Sequence, residues 1–212
     1  DLAWRKRRED AAMSDYMVSE DSGPQAIRYR GIVVAIHWLT VALLVTQVWL
    51  GFAFSDAPRG SPERGMLFDW HKTLGALILV LAIVRLVVRM MNPPPPYPQD
   101  FPRWERALAV WNHRIFYVLL FALPLTGLAA VSGRAEDGSV DLLFGFALPA
   151  IPGVPKDNPF GDWHEWLVYT TLALIVLHVA AALKNQFVDR GAVGSRMPPF
   201  RTQRPAGPPT DK

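Results

Sequence analysis

Four long apolar blocks, separated by polar and proline-rich stretches, organise this chain of 212 residues. The first runs from Gly31 to about Ser55 without a formal charge. The second runs from Trp70 to about Met91 and is interrupted by Arg85 and Arg89. The third runs from near Ala107 to Gly133 with Pro124 inside it, and the fourth from Trp163 to about Asn185. A helix needs roughly 20 apolar residues to cross the hydrocarbon core of a bilayer, so each block predicts one membrane-spanning helix. Asn92 and the prolines at 93 to 96 mark a firm helix stop, because proline has no amide hydrogen to give. Pro124 is tolerated within a span that neighbouring helices surround.

The stretches between the blocks complete the organisation. Residues 1 to 30 are polar, open on the basic run Arg5, Lys6, Arg7, Arg8, and are expected to form a mostly disordered cytoplasmic extension. Leu142 to Pro155 is apolar but broken by Pro149, Pro152 and Pro155. It is too short to span, and predicts an interfacial or partly re-entrant loop capping one end of the bundle. Residues 189 to 212, rich in Pro, Gly and Arg, read as a C-terminal cytoplasmic tail. The first block is too long for the apolar region of a signal peptide, and no small-residue cleavage site follows it. The fold class is therefore an all-α integral membrane protein, a four-transmembrane-helix bundle over 31–188. Its helices are expected at about 31–55, 70–91, 107–133 and 163–186.

Composition sharpens this picture. Half of the residues are hydrophobic and nearly all of the 19 prolines lie outside the blocks, so a modest mean hydropathy hides strong segregation. The chain has no cysteine, which excludes disulfides, iron–sulfur clusters, thiolate zinc sites and covalent c-type haem attachment. A net charge of +3, with basic residues beside the apolar blocks, fits membrane orientation and gives no basis for nucleic-acid binding. Arg28 and Arg30 precede block one, Arg85, Arg89, Arg103 and Arg106 surround the second loop, and Lys184, Arg190 and Arg196 follow block four. The other two loops hold only two basic residues each. Lys and Arg are retained on the cytoplasmic side, so both termini are expected there. Several of Trp38, Trp49, Trp70, Trp111, Trp163 and Trp166 suit interface anchors.

The candidate chemistry lies in the histidines. All five, His37, His71, His113, His164 and His178, fall inside the apolar blocks. An ionisable group in a span is costly unless it is paired, lines an aqueous path or binds a cofactor. By depth, His71 and His164 share one level, while His37, His113 and His178 share the cytoplasmic level. Two bis-histidine haems need two histidines per level, reaching each iron from opposite faces. His164 and His178 are fourteen residues apart, roughly 21 Å of rise and about 40° short of four turns, so one helix can serve two stacked haems. The same interval separates His71 from Arg85, which places the guanidinium near the cytoplasmic haem level as a candidate partner of a haem propionate. Each lone histidine is explained equally well as an interhelical hydrogen-bonding group, and Arg85 as a snorkelling side chain near a helix end. Depth alone does not choose two of His37, His113 and His178. Gly51, Gly75 and Gly127 suit either porphyrin approach or close helix packing.

These stretches together resemble the bacterial cytochrome b561 proteins. The matching segments are Ile36-His37-Trp38-Leu39, His71-Lys72-Thr73-Leu74-Gly75 and Ile83-Val84-Arg85-Leu86. They continue with the proline-rich linker, Leu123-Pro124-Leu125-Thr126-Gly127, Trp163-His164-Glu165 and Leu177-His178-Val179-Ala180-Ala181-Ala182-Leu183, over about residues 28 to 198. The resemblance implies a multi-pass protein of the bacterial inner membrane that binds two noncovalent b haems. His37 and His178 would ligate the cytoplasmic one, His71 and His164 the other, and His113 would be left as a supporting or quinone-side group. The long N-terminal extension departs from the compact family pattern and suits either a docking segment or simply an upstream start of no consequence.

Function follows as transmembrane electron transfer, with quinone or ubiquinol as possible substrate and exchange of electrons with a protein redox partner. Lys72, His113 and Glu165 are candidates for the proton-accepting group beside a quinol, although Glu165 suits a solvated interface charge equally well. The alternative is a haem b membrane-anchor or electron-transfer subunit of a larger dehydrogenase, respiratory or photosynthetic complex, with the loop Leu142 to Pro155 as contact surface. A histidine-lined transporter ranks below both, because none of the four spans carries a carboxylate at mid-depth.

Overall fold

The computed structural model describes residues 31–92 and 102–189. Four helices account for most of them: α1 Gly31–Asp56, α2 Pro62–Met91, α3 Arg103–Ser132 and α4 Phe160–Leu183, the last running into a single π-helical turn over Lys184–Val188. All four are long and apolar enough to cross a membrane. The expected extension over 1–30, the proline run after Asn92 and nearly all of the expected tail lie outside the described residues.

Three helices start before the apolar blocks they carry. For α2 the start is Pro62 rather than about 70, and local chemistry sets it. Ser61 is the N-cap and its hydroxyl accepts the backbone N–H of Arg64 at 3.2 Å. Pro62 stands where a missing N–H costs nothing, and Glu63 faces the positive end of the helix dipole. Similarly α3 begins at Arg103 rather than about 107, directly after Pro102, and α4 at Phe160 rather than 163, directly after Pro159. Apolar blocks mark only the part of each helix immersed in hydrocarbon, whereas these first turns are polar and extend into the interface.

Helix α1 packs on α2 and α3 on α4, and the two hairpins meet along α2 and α3. The buried core is small, formed by Ile78 and Ala82 of α2 with Leu120 of α3, and Leu43, Leu44, Leu74 and Phe121 packed around them. Most other large apolar side chains face outward, among them Val45, Val80, Val118 and Val176. Lipid takes the place of water around such a bundle, so outward apolar faces stabilise the membrane-embedded state. α3 runs unbroken through Pro124, and the Thr126 hydroxyl returns bonds to the Ala122 and Leu123 carbonyls at 2.7 and 3.0 Å.

Between α3 and α4 the chain forms a small antiparallel hairpin, β1 Ser139–Asp141 paired with β2 Ala147–Pro149 in the register Val140 opposite Leu148. A 3-10 turn over Leu143–Gly145 joins the strands, with Phe144 in the left-handed region at φ 62°. The hairpin is tied to the helices by two hydroxyls: Leu143 N–H donates to Thr73 Oγ1 of α2 at 3.0 Å, and Ile151 N–H to Ser132 Oγ of α3 at 3.0 Å. Close contact continues at Gly133, where any Cβ would run into the Pro155 backbone. The apolar loop thus lies across the end of the bundle at which α2 and α4 begin.

Candidate functional site

At that end, His71 from α2 and His164 from α4 face each other across the two hairpins, with ring centroids 6.2 Å apart and planes at 81°. Each ring rests against a glycine of the preceding helix. A Cβ on Gly51 of α1 would meet His71 Cε1 at 3.3 Å, and one on Gly127 of α3 would meet His164 Cε1 at 3.3 Å and Nδ1 at 3.4 Å. Without a side chain at 127, His164 Nδ1 reaches the Leu123 carbonyl at 2.9 Å. A carbonyl can only accept, so Nδ1 carries the proton and Nε2 keeps its lone pair. His71 turns toward the backbone of Gln47, the residue one turn before Gly51, but its buried Nδ1 completes no hydrogen bond there. The Gln47 side-chain amide donates to the His71 carbonyl at 3.0 Å and lies 3.2 Å from its Nε2.

Aromatic packing secures this end. Phe54 contacts the His71 ring at 5.3 Å and Phe68 at 5.1 Å. Arg64 lies over Phe54 at 5.5 Å and donates to the carbonyls of Phe54, Ser55 and Ala57 at 2.6, 3.0 and 2.9 Å. It therefore satisfies the orphan carbonyls where α1 ends. Lys72 is committed to Asp69 at 3.0 Å and to the Phe68 ring at 5.3 Å, while Glu165 is exposed.

The other end gathers His37, Arg85, Asn112, His113 and His178. Arg85 Nη2 lies 3.3 Å from His37 Nδ1, and its guanidinium lies 5.9 Å from the Tyr117 ring. His178 meets the rings of His113 at 5.4 Å and Phe116 at 5.5 Å, both edge-on, and its Nδ1 lies 3.1 Å from Asn112 Nδ2. His113 Nδ1 donates to the Ala109 carbonyl of its own helix at 2.6 Å. His178 and His113 both stand close enough to His37 to act on it electrostatically. Below them, Lys184 bridges Glu105 at 2.9 Å and Asp189 at 2.8 Å, tying the end of α4 to the start of α3.

An internal repeat underlies the arrangement. Asp69-Trp70-His71 of α2 recurs as Asp162-Trp163-His164 of α4, and the same shift carries Arg85 onto His178. One constant shift likewise relates α1 to α3, carrying His37 onto His113, Gln47 onto Leu123 and Gly51 onto Gly127. His71 and His164 are thus equivalent groups of two related hairpins. The symmetry breaks at the other end, where Arg85 stands in the place of a histidine. The doubled Asp-Trp-His triplet is the sequence signal that block-by-block reading passes over; Gln47 and Asn112, which composition and depth do not single out, emerge only from their contacts with His71 and His178.

The spacing suits an axial pair. A metal held at ~2 Å from each of two imidazole nitrogens needs ring centroids roughly 6 Å apart, and His71 and His164 stand at 6.2 Å. The His164 bond to a backbone carbonyl is also the kind of support that metal-ligating imidazoles have. Among the described residues, three buried side-chain polar atoms lack a partner, Gln47 Oε1, His71 Nδ1 and Asn112 Oδ1; one is on a histidine and the others on amides that contact His71 and His178. Among the described residues, no three His, Asp or Glu side chains gather to hold a bare metal ion. Pairs of imidazoles fit a planar chelate that brings its own equatorial donors.

Comparison with known proteins gives the family. A sequence model of the family described as prokaryotic cytochrome b561 matches residues 28–199. The chain is 30% identical over 175 residues to cytochrome b561 homolog 2 of Escherichia coli (strain K12), covering 80% of this chain and 90% of that protein. It is 32% identical over 177 residues to the probable superoxide oxidase CybB of Yersinia pestis, covering 81% of this chain and 96% of that protein. Cytochrome b561 homolog 1 of Escherichia coli (strain K12) is 25% identical over 177 residues, 82% of this chain and 98% of that protein. With four membrane-spanning helices and a family match over all four, the chain belongs to the prokaryotic cytochrome b561 family, as a multi-pass membrane b-type cytochrome that transfers electrons.

Proposed function

We propose that the chain moves electrons across the membrane through two b haems, linking the quinone pool to a redox partner. In this reading His71 and His164 hold one haem, and His37 and His178 hold the second. The observation that carries it is the 6.2 Å spacing of His71 and His164, contributed from equivalent places in the two hairpins. His37 and His178 likewise come from opposite hairpins. His113 instead neighbours His178 within one hairpin at 5.4 Å, inside the roughly 6 Å that a metal between two imidazoles needs. Bound haem supplies a one-electron iron couple whose potential follows its axial ligands and burial.

The chain's own residues do the rest. Leu123 keeps the His164 proton on Nδ1, and Gly51 and Gly127 admit the rings. Arg85 can only donate, so for His37 to offer Nε2 while keeping its Nδ1 proton, the guanidinium turns away from the imidazole. The acid groups of haem are the natural new partner. Arg85, Arg89, Arg103, Arg106 and Lys184 all lie at the His37 end, which supports placing that end, and both termini, on the cytoplasmic side. His113 spends its Nδ1 proton on Ala109, which leaves its Nε2 able to accept a proton from a quinol beside the cytoplasmic haem. Lys72, bound to Asp69, is less available for that role.

A second reading comes from the Yersinia relative, a probable superoxide oxidase matched over 96% of its length. Two superoxide ions would each release one electron and leave as dioxygen, and one quinone would take both electrons and two protons to become quinol.

A reduced-minus-oxidised spectrum with a pyridine haemochrome assay, on wild type and on single His→Ala variants, tests the ligand set. Two haems b per chain are expected. His71→Ala, His164→Ala, His37→Ala and His178→Ala should each remove one, while His113→Ala keeps both. Two intact haems in His71→Ala, or loss of one in His113→Ala with none lost in His37→Ala, would refute it.

A further inference from the structure

The two ends of α4 differ in how their histidines are held, and the difference lies in α3. His164 reaches a backbone carbonyl because Gly127 opens the helix surface beside Leu123. Residues 103–126 of α3 contain no glycine, so side chains keep His178 off the backbone at its level. What meets it instead is the amide of Asn112 at 3.1 Å from Nδ1. Asn112 and Leu123 are eleven residues apart, roughly three helical turns, and so lie on one face of α3.

We propose that Asn112 is a positioning residue whose amide oxygen accepts the Nδ1 proton of His178 and thereby fixes the tautomer with a free Nε2 lone pair. The proposal rests on the reading that His178 holds a haem. A side-chain amide has a donor end and an acceptor end that exchange on a half-turn, and the partners decide which end faces where. With Nδ2 facing His178, Nδ1 must be unprotonated, the proton sits on Nε2, and the ring has no lone pair there to offer. Among the described residues nothing holds the amide in that orientation, because the buried Oδ1 has no partner there. After the half-turn, Oδ1 faces Nδ1 and supplies the support that the Leu123 carbonyl gives His164.

Neighbouring groups leave this task to Asn112. The rings of His113 and Phe116 close on His178 edge-on at 5.4 and 5.5 Å, which restricts rotation of the imidazole. His113 cannot take the same role, since its own Nδ1 proton goes to Ala109 at 2.6 Å.

The test is a redox titration of both haems, with low-temperature electron paramagnetic resonance, on the full chain carrying Asn112→Leu or Asn112→Asp. Leucine is close in size but cannot accept, so the haem on His178 should become easier to reduce. At fixed ambient potential its reduced-to-oxidised ratio should rise about tenfold, which is 59 mV for a one-electron couple, with its resonance signal altered and the other haem unchanged. Asp restores an acceptor and should bring the potential back to the wild-type value or below. If leucine releases the haem altogether, its return with Asp supports the proposal. Unchanged potentials and signals in Asn112→Leu with two haems bound, or loss of the haem in both variants, overturn it. His178→Ala serves as the separate control: if it keeps both haems, the ligand assignment fails, whatever Asn112 does.

Discussion

Replacing Gly127 by alanine puts a methyl carbon 3.3 Å from His164 Cε1 and 3.4 Å from its Nδ1. That is tighter than side-chain carbons normally tolerate, so the ring must retreat by a few tenths of an ångström. The retreat lengthens the 2.9 Å bond to the Leu123 carbonyl, worth about 0.5–1.5 kcal/mol. Alanine in a helix interior returns up to about 1 kcal/mol relative to glycine. The two nearly cancel, so the bundle without haem should melt within a few degrees of wild type. Haem binding has no such compensation. Loss of the group that orients a metal-ligating imidazole weakens the metal by roughly 10–100-fold, or about 1.4–2.7 kcal/mol. Titrating haemin into detergent-purified protein should therefore show one weakened site of two. Gly51→Ala should likewise displace the His71 ring, whose Cε1 and Nδ1 lie 3.3 and 3.6 Å from the added carbon, and so weaken the site through the ring's position alone, whereas Gly65→Ala meets nothing within 4 Å and should bind normally. Wild-type affinity and unchanged resonance signals in Gly127→Ala would refute the argument that the glycine makes room for a working imidazole.

Two further outcomes follow from the end of the bundle where His71 lies. Arg64→Ala leaves the carbonyls of Phe54, Ser55 and Ala57 without their shared donor and should cost about 1–2 kcal/mol after allowance for partial exposure. The melting temperature in detergent should fall, with Arg64→Lys recovering part of the loss; an unchanged melt would show that water caps α1 equally well. In the β1 turn, hydrogen bonds from the Ser139 hydroxyl and backbone hold the Asp137 carboxyl below the ordinary range. A pKa lower in the folded state contributes stability above the unfolded value of about 3.9 and loses it as pH falls through the folded value. Amide protection in the turn should therefore be flat from pH 8 to pH 5 and fall only in stronger acid. Ser139→Ala should move the carboxyl titration, followed by NMR, upward; loss of protection already at neutral pH would contradict this.

Much of this molecule is legible without coordinates because a bilayer demands so much of a sequence. Every backbone polar group in hydrocarbon must be satisfied within its own segment, so an apolar block of sufficient length has few alternatives to a helix. Four blocks gave four helices, and placing histidines by depth needed only the rise per residue. Helix starts were harder to read. Ser61, Pro62 and Glu63 signal the beginning of α2 as a capping pattern, but they carry no hydropathy and lie outside the block that draws attention.

The sequence by itself determined the membrane class, the four helices and the levels at which the histidines lie, since length, hydropathy and rise are properties of a single strand of chain. Only the tertiary structure decided which groups meet, because rotation about each helix axis and the choice of neighbour are settled by packing between helices. It set Gly127 beneath His164 and Gly51 beneath His71. It paired Arg85 with His37, placed His113 and Phe116 around His178, and laid the loop with Leu143 and Ile151 across the end of the bundle. Asn112 shows the division most plainly: one more polar residue in the sequence, it comes within 3.1 Å of His178 Nδ1 only when α3 and α4 lie side by side.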